Sequence, residues 1–308
     1  MAVQTGENKI YTSNDGKGSG TVVKGNGLTT SYCVGFSKFD FHFSKSNNHQ
    51  IQEISLNMTP TWSGTELIVN VSATFQNSGN KTIADDSYVN VVAAIQTGST
   101  NPNVFFTNVD GISRNQSKTV TVPAGSNADE VLFLSGLYYS YGKKDREITE
   151  ISAGLSASTA SATEVVISGD ATMENSHKDI AEETRLNAGY GIEASDGNLY
   201  FVYDLGAKQN PDGTEEVTFT PPPDYDYDWD NLIVVVKDFK VAFPKGDHKI
   251  NTLSVGVDSW DASIDQNGVV TLSLNRPAAV MFNTTTIEDS QENAKSDVVL
   301  MAIVPVLG

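Results

Sequence analysis

The chain has 308 residues, 39% hydrophobic and 19% charged, with a net charge of −18 at pH 7. That length holds two or three cores, and the negative balance argues against nucleic acid as a partner, because phosphate contacts need clustered Lys and Arg. Few charges, with Ser, Thr, Asn and Gly in their place, suit a β-rich protein with polar turns.

The acidity reads as solubility, with a surface that collects divalent cations as the sharper alternative. Cys33 is the only cysteine, so no intrachain disulfide forms, and in Tyr32-Cys33-Val34 it reads as a small buried hydrophobe. The first 20 residues are polar and Gly-rich, so no signal peptide is expected. No apolar run nears the roughly 18 residues of a membrane helix. The expectation is a chain made in the cytoplasm and placed in a virion or an extracellular assembly.

Taken in order, the first strong element is the trio Phe39, Phe41 and Phe43, alternating with Asp40 and His42. A period of two places one trio on one face of a strand. Leu137, Tyr139 and Tyr141 repeat it, as do Phe239, Val241 and Phe243, and Lys45, Lys143 and Lys245 follow the three trios at a polar turn. Next comes Asn48-His49-Gln50-Ile51-Gln52-Glu53-Ile54-Ser55. It returns as Asp145-Arg146-Glu147-Ile148-Thr149-Glu150-Ile151-Ser152 and as Asp247-His248-Lys249-Ile250-Asn251-Thr252-Leu253-Ser254. Ile54 to Ile151 is 97 positions and Ile151 to Leu253 is 102. Each copy opens a strand with Ile54, Leu56 and Met58, or Ile151, Ala153 and Leu155, or Leu253, Val255 and Val257 inward.

The first two copies also share Lys81 to Asn90 with Lys178 to Asn187 at the same offset. Each unit then closes on an apolar strand, Val89 to Ile95, Leu186 to Ile192 and Val298 to Val306, and Pro305 is expected on a sheet edge because it cannot donate to a ladder. The best helical window, His177 to Asn187, amounts to one or two turns. These readings give an all-β chain of three tandem antiparallel β-sandwich repeats of about 100 residues, jelly-roll or immunoglobulin-like. The units are 1–98, 99–194 and 195–308, the last with an acidic-aromatic insertion. The short junctions at Thr97 to Pro102 and Ala194 to Asn198 predict units packed together.

Candidate chemistry concentrates where the copies differ. Asp224-Tyr225-Asp226-Tyr227-Asp228-Trp229-Asp230, if extended, puts four carboxylates on one face and three aromatics on the other. Asp224, Asp226, Asp228 and Asp230 are then candidate calcium ligands. Tyr225, Tyr227 and Trp229 are a candidate platform for sugar rings, or else a cover for the neighbouring sheet. Trp62 and Trp260 are expected in the turns after the repeated strand, as binding or packing residues. The acidic pairs Asp85-Asp86, Glu182-Glu183 and Glu288-Asp289 read as loops entering the last strand. His49 and His248 are matched by Arg146, which cannot ligate zinc. No nucleophile, phosphate-loop or dinucleotide motif occurs.

The leading expectation is therefore a non-enzymatic structural protein that self-associates, such as a virion, fibre or surface-appendage subunit, with open strand edges completed by a neighbour. The alternative is a carbohydrate-binding adhesin or a receptor-binding or pore-forming toxin component. Ser/Thr-rich Ser152 to Thr163 motivates the last of these.

Overall fold

The computed structural model describes residues 2–25, 29–43, 49–79, 82–97, 104–123, 126–175, 177–194, 199–243, 248–282 and 294–307. Lys45, Asn48, Lys81, Lys245, Asp247, the pair Glu288-Asp289 and junction residues 98–102 and 195–198 lie outside them.

The first third forms β1 (Ala2–Tyr11), β2 (Lys17–Lys24), β3 (Thr29–His42), β4 (Glu53–Ser63), β5 (Glu66–Gln76) and β6 (Tyr88–Thr97). The second forms β7 (Val104–Ser113), β8 (Ser117–Thr121), β9 (Ser126–Ser140), β10 (Glu150–Ser161), β11 (Glu164–Glu174) and β12 (Glu183–Ala194). The last third contains β13 (Tyr200–Lys208), β14 (Thr214–Phe219), a 3-10 turn (Trp229–Asn231) and β15 (Ile233–Ala242). It continues with β16 (Thr252–Gly256), β17 (Ser259–Ile264), β18 (Val270–Asn275), β19 (Ala278–Phe282), β20 (Ala294–Ser296) and β21 (Val298–Pro305). The fold is all-β and antiparallel, a layered sandwich as the period-two pattern requires.

Three sheets have six strands each, in the orders β1-β6-β3-β16-β19-β20, β2-β5-β4-β9-β12-β7 and β13-β21-β15-β10-β11-β8. A small fourth sheet runs β14-β18-β17. Within the first third, β1-β6-β3 and β2-β5-β4 fall in different sheets, the alternation of a jelly roll shortened to six strands. Yet no six-stranded sheet belongs to one third. Each joins three strands of one third to three of another, at seams β4/β9, β10/β15 and β3/β16.

The seams share one register. Ile54 pairs with Tyr139, Ile151 with Val241, and Leu253 with Phe41. The trio strand and the motif strand are neighbours in sequence, but each finds its ladder partner in another third. Each seam is a short antiparallel pairing of four or five residue pairs, and it satisfies backbone groups that a free sandwich edge would leave open.

The start of the motif closes the ring. His49 and Ile250 exchange N–H···O bonds of 3.0 and 2.9 Å, Ile51 and Arg146 of 2.7 and 2.8 Å, and Ile148 and His248 of 2.8 and 2.9 Å. Ile51, Ile148 and Ile250 are all fully buried beneath this collar. Strands β3, β9 and β15 touch one another, and the largest apolar cluster draws on every sheet. A second cluster, with Cys33, Phe106, Phe133, Tyr200 and Ile233, again takes members from all three thirds.

Four local expectations change. Pro305 is the last residue of β21, which lies between β13 and β15 inside its sheet. Its missing N–H falls at the strand end, and its carbonyl accepts from Asp228 N at 2.9 Å. The window at His177 to Asn187 is not helical. Asn175 Oδ1 accepts from His177 N and Asp179 N in a tight turn, and β12 follows, because Leu186, Ala188 and Tyr190 alternate into the core. Trp62 and Trp260 lie within β4 and β17, not in turns. The turn after Trp62 is delayed to Gly64, which takes φ 64°, a conformation that suits glycine. The acidic-aromatic run is not extended, as described next.

Candidate functional site

The residues singled out from sequence do not meet in one place. Trp62 lies half-buried against the core, its ring edge-on to Tyr32 at 6.0 Å. Trp260 donates Nε1–H to the Leu232 carbonyl at 3.1 Å and packs between the two apolar clusters. Both are anchoring residues with an apolar body and, in Trp260, a satisfied polar tip.

The run from Asp224 to Asp230 is a turn, a single bridge from Tyr227 to Val306, and then the 3-10 turn. Prolines 221–223 before it have no N–H to offer a ladder. The loop therefore wraps the end of a sheet instead of extending it. Trp229 and Tyr227 stand 5.4 Å apart, Trp229 is 6.2 Å from Phe219, and Tyr227 is 5.7 Å from Phe201. Tyr227 OH donates to the Pro222 carbonyl at 2.9 Å. These rings cover β13 and β14, and Tyr225 alone of the three is on the exposed side. Asp224, Asp226 and Asp230 point to solvent, while half-buried Asp228 accepts from Asn231 Nδ2 at 2.8 Å. Among the described residues no group of three or more His, Cys, Asp or Glu stands close enough to hold a metal ion.

What the fold does bring together lies on the seams. The sheet faces turned away from the core each carry a cleft there, of about 510 Å³ at β4/β9, about 540 Å³ at β10/β15 and about 180 Å³ at β3/β16. The first is the most fully built. Tyr138 of β9 is flanked in register by Ser55 of β4 and Arg185 of β12. One rung away, Asn57 pairs with Ser72, and Asn187 stands opposite Gly136.

Gly136 is what allows the next contact. A Cβ there would come within 2.6 Å of the Leu56 carbonyl and 3.1 Å of Asn187 Nδ2. Without it, Asn187 reaches over β9 and donates Nδ2–H to Asn57 Oδ1 at 3.3 Å, while its Oδ1 accepts from Gly111 N at 2.9 Å. A register shift between Asn187 and Ala188 aims the side chain, the usual effect of a β-bulge. The Arg185 guanidinium lies 4.8 Å over the Tyr138 ring and pairs with Glu183 at 2.5 Å. Tyr138 OH donates to Glu53 Oε2 at 3.4 Å, and burial pushes the Glu53 carboxyl above its usual range.

Sequence reasoning passed over these residues because they are the outward partners of the alternating pattern. Asp40, Tyr138 and Lys240 occupy one place between the apolar positions of the three trios, and the difference among them was the available signal. No family model and no curated protein matches the chain. Among the described residues no helix is long and apolar enough to cross a membrane.

Proposed function

We propose that the protein is a non-enzymatic glycan-binding protein that takes a saccharide in the β4/β9 cleft. The observation that carries the reading is the fixed amide bridge of Asn187 and Asn57 beside Tyr138 and Arg185. A saccharide presents closely spaced hydroxyls, each donor and acceptor, and an apolar ring face. Immobilised amides and a guanidinium match the first, and an aromatic side chain the second. The volume lies within the roughly 300–1,000 Å³ of ligand clefts. Calcium enters this reading at no step.

The test is a glycan array probed with the full chain, then titration calorimetry on the best hit. Ser72→Trp fills the cleft from an exposed strand position and is expected to weaken binding at least about tenfold without lowering the melting temperature. Trp229→Ala removes a ring of the β13–β14 cover and is expected to leave affinity unchanged. Silence across the array, or loss with Trp229→Ala and not with Ser72→Trp, removes the proposal.

A second reading, a self-assembling virion, fibre or appendage subunit, is favoured by the strands that end the sheets. Edge strand β17 carries Ile264, 48% exposed. Pairing of such an edge with another copy predicts concentration-dependent sedimentation. A constant monomer mass at the highest soluble concentration rejects it.

A further inference from the structure

The β3/β16 cleft differs in kind from the other two. Across the outer face of its sheet one row runs Tyr11, Tyr88, Asp40, Ser254, Val280, Lys295, each Cα opposite the next. Asp40 and Ser254 form the floor. Ala278, Val280 and Phe282 make an apolar wall. Pro211 closes the top, on a loop tied down by Asn210 N donating to the Pro277 carbonyl at 2.7 Å. Tyr88 stands opposite, and its ring already receives the Lys9 ammonium at 3.5 Å from the centroid.

The cations in and beside the cleft already have carboxylates, and two of them, Lys38 and Arg276, share Asp258 within the lining itself. Lys38 bonds to Asp258, Arg276 lies 3.9 Å from the same carboxylate, and His42 is 2.7 Å from Asp86. Arg276 holds its place at φ 51°, a left-handed conformation that costs a non-glycine residue of order 1 kcal/mol or more. The half-buried Asp40 side chain lines the cleft and makes no hydrogen bond or ion pair with any described residue. A partly desolvated carboxylate with no direct partner is costly, and a cation supplied from outside relieves that cost.

We propose that this cleft binds a small organic ammonium ion, with its nitrogen against Asp40 and its alkyl part against Val280 and Phe282. Size sets the class: an apolar cavity of about 150 Å³ takes a benzene-sized guest, and this one is about 180 Å³. A ligand of four to eight heavy atoms fits. The proposal is independent of the glycan reading, since the two clefts share no residue.

Titration calorimetry of the full chain with n-butylammonium tests it, beside n-butanol as the neutral analogue and inorganic phosphate as the anion Lys38 and Arg276 would draw. Butylammonium is expected to bind at least about tenfold more tightly than butanol. Asp40→Asn is expected to erase that preference and Asp40→Glu to keep it, while Asp265→Asn, on the exposed β17–β18 turn, changes nothing. No butylammonium binding, equal binding of butanol, an unchanged preference in Asp40→Asn, loss in Asp265→Asn, or a preference for phosphate each overturns the assignment. Melting curves of Asp40→Asn and Asp40→Glu separate a lost ligand contact from a lost fold.

Discussion

At the scale of the residue, the outward positions of the trio strands carry the chemistry, and Asp40 shows it most plainly. Burial, above all, raises its carboxyl above the usual range; Lys38, His42 and Lys9 pull the other way without offsetting it, and Asp258 adds to the rise. A folded-state pKa above the unfolded value of about 3.9 means that the folded chain holds this proton more tightly. The group therefore favours folding most at low pH, and that contribution is lost as pH rises from about 4 through the raised pKa. Replacing it with Asn removes the loss. Urea unfolding at stepped pH is expected to show Asp40→Asn gaining on the wild type from pH 4 to pH 7, with the gap closing in acid. A gap that is flat or reversed across that range means that Asp40 is solvated as an ion.

Gly136 makes a related point. Its missing side chain is read easily as a weak spot in a strand, yet it is the opening through which Asn187 reaches Asn57. Glycine in a strand often marks a close approach of neighbouring groups, and here the approach joins strands from two thirds of the chain.

At the scale of the element, the repeated motif is a fastening. Its apolar residue two places after His49, Arg146 or His248 is fully buried in each copy, and its backbone pairs reciprocally with another copy. Ile51→Ala removes buried methyl groups from a segment pinned between the two other copies of the motif, so about 2–5 kcal/mol is expected to be lost. Because the clusters draw on all the sheets, calorimetry is expected to record that loss as one shifted transition. Two resolved transitions, with only the first third melting early, show instead that the thirds fold independently. The same logic explains why Trp62 and Trp260 anchor their strands. Each sits on a hairpin arm that must pack against a neighbouring sheet, so its ring is occupied with the fold.

At the scale of the whole molecule, the seams bear on both functional readings. Open strand edges at the ends are one ground for expecting a neighbouring subunit; between the thirds, at β4/β9, β10/β15 and β3/β16, edges are satisfied within the chain. Assembly then rests on the outermost strands, while the seams supply concave faces whose linings differ. Period two, the inward residues of the trio and motif strands, and the recurrence of the motif were legible in the chain by itself. Alternation and burial are local consequences of strand geometry. The sandwich class was legible for the same reason. Which strand pairs with which was not. A ladder between Ile54 and Tyr139 joins residues 85 positions apart, and hydrophobic pattern is the same whether the partner lies in the same third or the next. The clefts were hidden for that reason too. Asn57, Tyr138 and Asn187 are ordinary polar positions on three strands, and only the tertiary pairing across a seam, with Gly136 left open between them, places their side chains against one another.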